Sequence, residues 1–111
     1  MANNFEDMES RAIEIASQYR SQGRAEGKPD WKASDYVAGL GGDFGKLSKL
    51  VMAKSGLREI EGDLDKQIQH ELHDILWSTI VIAHELGYDN LGEGFIDTMN
   101  ELEQRIVNEK S

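Results

Sequence analysis

Leu64 to Leu86, LDKQIQHELHDILWSTIVIAHEL, is the stretch that decides the fold. Leu64, Ile68, Leu72, Ile75, Leu76, Thr79, Ile82, Ala83 and Leu86 recur at steps of three and four, which is the period of one helix face. Asp63 stands where an N-cap acceptor is needed, and Gly87 supplies the left-handed residue that stops a helix. The pattern predicts a central helix over about 63–86. Its second half, ILWSTIVIA, is apolar nearly all round, as expected of a helix covered on several sides by neighbours or by a second subunit.

Working outward, Val37, Leu40, Phe44, Leu47 and Val51 mark a second helical stripe over about 34–55. Gly39, Gly41, Gly42 and Gly45 interrupt it, each at a cost of about 1 kcal/mol relative to alanine. Close approach of a helix or a ligand to this backbone is the favoured reason; a kink or a break into two helices near Gly41 and Gly42 is the alternative. Downstream, Asn90 and Glu93 form a capping-box pair ahead of Leu91, Phe95, Met99, Leu102 and Ile106, predicting a last helix over about 90–108. At the N-terminus, Asn3 and Glu6 read as a capping box before Phe5, Met8, Ala12, Ile15 and Tyr19, so a first helix spans about 4–22. The segment GRAEGKPDWKAS, with the only proline at Pro29, forms the loop between the first two helices. With no strand alternation, repeat or linker, residues 1–111 read as a single all-α domain, a bundle-like arrangement of four helices.

The length of 111 residues allows one modest core and leaves no room for a second domain. At 39% hydrophobic and 30% charged, the chain is too apolar to stay disordered. Its formal charge of −9 repels phosphate backbones and anionic lipid, so neither a nucleic acid polymer nor a membrane is expected as partner. A polyphosphate ligand would need a local basic cluster or a divalent cation held by carboxylates. Without cysteine the chain has no disulfide, thiolate nucleophile or cysteine-ligated zinc, and the cytoplasm is the expected location. The start, MANNFEDMESR, lacks a basic-then-apolar signal, and the apolar run around Ile75 to Ala83 is too short to span a bilayer.

Glu71 and Asp74 are three apart, which puts both carboxylates on one helix face within reach of a single cation. Acidic pairs at this spacing are common on solvated faces. This one opens an apolar helix, where ionised groups near a core need a partner. The segment HELHDILWSTIVIAHELGYD resembles the second half of the MazG family signature, an E-x-x-D pair running into an apolar stretch. Upstream, GGDFGKLSKLVMAKSG resembles the first half, E-E-x-x-E followed by leucine and small or apolar residues. The resemblance covers about 37–105.

MazG-like proteins hydrolyse nucleoside triphosphates to the monophosphate and pyrophosphate with magnesium. The resemblance implies that Asp43, Glu71 and Asp74 are catalytic and metal-holding, with manganese as a possible substitute for magnesium. Gly42 stands at the first glutamate position and Lys46 at the last, so one ligand carboxylate is replaced by an ammonium. Three outcomes are open for Lys46. It points away, it pairs with the carboxylates in place of the metal, or it contacts the triphosphate.

Lys49, Lys54 and Arg58 gather positive charge after the first motif, and Asn100 and Arg105 lie on the last helix, where the resemblance places phosphate contacts; solvated helix faces are the alternative. Trp31 and Tyr36 either stack on a base or plug the edge of the core. His70, His73 and Asp74 form a second conceivable metal set, against a solvated histidine pair. His84 reads as a hydrogen-bonded core or interface residue, and Trp77, Met52 and Met99 as core or interface.

The function expected is nucleoside triphosphate pyrophosphohydrolysis in a house-cleaning role, by a homodimer or a dimer of dimers. A nucleotide-binding module without turnover is the second possibility, and an acidic helical interaction protein the third.

Overall fold

The computed structural model describes residues 4–110. Four helices follow in order: α1 Phe5–Ala25, α2 Ala33–Lys54, α3 Leu64–Glu85 and α4 Leu91–Lys110, with no strand among the described residues. The expected bounds hold to one or two residues except at the end of α1, which runs through Gly23 for a further turn. The Asn3 cap expected for α1 lies outside the described residues. Its N-cap is Asn4, whose side chain accepts the Asp7 N–H at 2.8 Å. Asp63 caps α3 as expected, accepting the Lys66 N–H at 3.1 Å.

Gly87 has φ +81°, and Tyr88 N–H donates to the Ala83 carbonyl at 2.8 Å while Gly87 N–H donates to that of His84. This pair of bonds closes the helix with a left-handed residue. Gly56 ends α2 in the same way.

Helix α3 is central, packed most extensively along α2 and less so against α1. Ala16 of α1, Tyr36 of α2 and Val81 of α3 meet in the core, with Trp77 and Ile82 packed against them. Small side chains, Ala12 and Ala16 on α1 and Ala53 on α2, are buried and let the rods approach closely. Trp77 N–H donates to the Ala12 carbonyl at 3.1 Å, so the indole is satisfied where it is half-buried.

The glycine-rich helix is continuous, without the break into two helices held open as an alternative. Close approach is found only at Gly39, where a Cβ would lie 3.5 Å from the Trp31 ring; Gly41, Gly42 and Gly45 face open space.

Helix α4 departs from a bundle closed within one chain. Of its predicted stripe, Leu91 is partly buried, while Phe95, Met99, Leu102 and Ile106 are all 40% or more exposed. At the start of α4 the Phe5 ring lies against Gly92. The radius of gyration, 17.5 Å, exceeds the ~13 Å of a compact chain of about 100 residues. On α3, Leu72, Leu76 and Leu86 are exposed, so the near-continuous apolar surface of that helix is only partly covered. His84 is exposed rather than a core residue, and Met52 and Met99 are exposed as well. No described helix is long and apolar enough to cross a membrane.

Candidate functional site

On α2, Tyr36, Asp43 and Leu50 are seven residues apart, two helical turns, so they share the face packed toward α3. Tyr36 and Leu50 are buried there, and Asp43 lies between them on the same seam. The same spacing on α3 aligns Glu71 with buried Ser78, and Asp74 with buried Val81. The periodicity that builds the core therefore carries three carboxylates into the interface between the two helices. One oxygen from each of Asp43, Glu71 and Asp74 lies within 4.8 Å of the others. They form the one group of three or more potential metal ligands among the described residues.

Glu71 is the buried member, 2% exposed, and its Oε2 receives no hydrogen bond. A buried carboxylate oxygen without a donor costs about 1–3 kcal/mol or more, so the arrangement calls for a cation. Burial, then the negative charges of Glu71 and Asp74, hold the Asp43 carboxyl above its usual range. Lys46 Nζ lies 3.2 Å from Glu71 Oε1, with the lysine side chain 65% exposed. Lys46 therefore turns toward the carboxylates rather than away from them. His70 Nε2 approaches Asp74 Oδ2 at 3.2 Å on the outer side of the cluster. His73 lies along the adjoining cleft, and neither histidine joins the three-carboxylate group.

Next to the carboxylates opens a cleft of about 930 Å³, within the range of small-molecule sites. Asp43 and Asp74 are shared between cluster and cleft. Its walls include four aromatic rings in a continuous edge-to-face series. Tyr19 meets Trp77 at 6.1 Å, Trp77 meets Tyr36 at 5.8 Å, and Tyr36 meets Trp31 at 5.2 Å between centroids. Tyr36 is buried and belongs to the core, and burial pushes its phenol up. Trp31 keeps 53% of its surface exposed and offers a ring face at the cleft.

Arg20 and Lys28 also line the cleft. Arg20 is ion-paired to Glu85 and lies 3.7 Å from Asp30. Arg24 N–H donates to Asp30 at 2.9 Å, which holds that carboxyl below its usual range. These pairs tie the loop carrying Trp31 to α1 and α3.

The basic residues singled out from sequence lie elsewhere in this chain. Lys54 pairs with Asp65 at the start of α3, Arg58 is in the exposed loop after α2, and Lys49 is exposed on α2. Asn100 and Arg105 are exposed on α4, and none of the five lines the cleft. Sequence reasoning missed Arg20, Lys28 and Tyr19. Only Tyr19 carried a signal, as the last member of the α1 stripe.

Hard oxygen donors from three side chains suit magnesium or manganese, which complete their coordination with water or phosphate oxygens. The donor set fits such an ion. Comparison with protein-family models, with curated proteins and with solved structures gave no match to this chain.

Proposed function

We propose that this chain is a MazG-like nucleoside triphosphate pyrophosphohydrolase, dependent on magnesium or manganese, that cleaves NTP to NMP and pyrophosphate in the cytoplasm. The observation that carries the proposal is the convergence of Asp43, Glu71 and Asp74 beside an aromatic cleft of nucleotide size. The resemblance of the two motif halves to that family adds to it.

Asp43, Glu71 and Asp74 would hold the ion. When bound, it supplies charge neutralisation at the phosphates and activation of a water. The chain's own residues do the positioning on which phosphoryl transfer chiefly depends. Trp31 offers a face for the base, and Arg20 and Lys28, ion-paired to Glu85 and Glu26, line the same cleft.

A second copy of the chain covers the exposed stripe of α4, giving a homodimer or a dimer of dimers. Phe95, Met99, Leu102 and Ile106 supply the apolar contact that their own chain leaves unused.

A nucleotide-binding module without turnover is the alternative, and the Lys46–Glu71 pair favours it, because an ammonium already engages a metal-ligand carboxylate. A panel of NTPs and dNTPs assayed for pyrophosphate release with magnesium and manganese tests both. Release of pyrophosphate from any member supports the hydrolase. Nucleotide binding without release on the whole panel favours the module, and neither binding nor release rejects both.

A further inference from the structure

Lys46 sits one turn after Asp43 on α2 and reaches across to α3, where its ammonium meets one oxygen of Glu71 at 3.2 Å. Two features limit what this contact achieves. The lysine side chain is 65% exposed, so the ammonium remains hydrated, and ion pairs with one exposed partner contribute little. The other Glu71 oxygen, buried, still receives no donor. A lysine that replaced the metal outright would be desolvated and would satisfy several carboxylates at once. This one touches a single oxygen.

Charge points the same way. Three carboxylates and one ammonium leave two negative charges in the cluster, which one divalent ion neutralises. A fourth carboxylate in place of the lysine would leave four, enough to hold two such ions.

We infer that Lys46 is a tethered cation which limits the cluster to a single divalent ion and yields Glu71 to that ion when it binds, an inference that rests on the metal-dependent function proposed above. Both cations seek the Glu71 carboxylate, and the ion wins because it reaches all three acids whereas the ammonium reaches one. The displaced ammonium, on a flexible four-carbon stem, is then beside the ion and free to meet a phosphate oxygen as a point charge. Lys46 is thus a determinant of metal number and affinity, at a position for which the sequence left three outcomes open.

The test is calorimetric titration of manganese at one fixed pH into the wild-type chain and into Lys46→Met, Lys46→Arg, Lys46→Glu and Lys54→Met. The last variant removes an equal charge at a residue paired to Asp65, away from the cluster. The expected result is one ion in the wild type, about tenfold tighter binding in Lys46→Met, wild-type affinity in Lys46→Arg, and a second ion in Lys46→Glu. In the same samples, the Lys46 Nζ resonance should move on addition of magnesium.

Equal affinities in Lys46→Met and Lys54→Met would overturn the inference while leaving the metal site intact. A wild type that binds no ion, beside a Lys46→Met that binds one, would overturn the claim that the lysine yields. No binding in any protein, each shown folded by circular dichroism, would reject the metal-dependent function and the inference together.

Discussion

Replacing Glu71 by methionine should stabilise the metal-free protein and abolish its response to metal. Glu71 is 2% exposed, one of its oxygens has no donor, and its one ion pair is with a lysine that is 65% exposed. The unsatisfied charged oxygen costs about 1–3 kcal/mol, whereas the lost pair contributes about 0–1 kcal/mol. Methionine fills a similar volume without a buried charge. The balance is a gain of about 1 kcal/mol or more, which for a domain near this size raises Tm by ~4–8 °C. In manganese the order reverses. An ion at a hundred times its Kd adds about 2.7 kcal/mol to the wild type and nothing to a variant that cannot bind it. Thermal unfolding followed by circular dichroism, in EDTA and in manganese at one protein concentration, reads both effects. A Glu71→Met protein that melts below the wild type in EDTA would show that the carboxylate serves the fold. One that keeps the manganese shift would show that Glu71 is not a ligand.

The Asp43 carboxyl is held above its usual range, so the folded chain binds that proton more tightly than the unfolded chain does. The associated stability is present below the unfolded pKa and is lost as pH rises through the folded one; in EDTA, melts across that acid window should show this decline, and Asp43→Asn should flatten it and raise neutral stability. Trp31→Ala removes the exposed ring at the cleft, and fluorescence titration should show nucleotide binding weakened by about 1–3 kcal/mol, or roughly 5- to 150-fold. An unchanged Kd would take the base away from Trp31. Leu102→Glu on α4 should leave the metal response intact and convert the assembly to monomers in light scattering; an unaltered mass would place the second copy elsewhere.

The elements were legible because caps and periodicity agree in this sequence. Asp63, the Leu64-to-Leu86 stripe and Gly87 state the start, face and end of α3 independently, and the structure follows all three. The convergence of Asp43 with Glu71 and Asp74 was anticipated from the three-residue pair and the resemblance, and it forms because both halves of the cluster ride the seven-residue spacing that packs α2 on α3. The cleft was not. Tyr19, Arg20 and Lys28 come from α1 and the following loop, and only the docking of α1 on α3 brings them to Asp74. Nothing local separates Arg20 from the solvated arginines near it. The glycines misled for a related reason. Periodicity does not show what approaches a small residue, and of Gly39, Gly41, Gly42 and Gly45 on α2 only Gly39 has a side chain from elsewhere in the chain close to it, the Trp31 ring.

Helix α4 has a further consequence for how the molecule comes together. With Phe95, Met99, Leu102 and Ile106 largely in water, α4 is a rod that leans heavily on its own backbone bonds, which in water hold an isolated helix only marginally. If the proposed second copy covers that stripe, the order of α4 depends on encounter. In dilute protein the amide protons of α4 should exchange with solvent at rates close to those of an isolated peptide, while α3 stays protected. Raising the concentration should slow α4 alone, so that the final segment finishes folding as a second-order event.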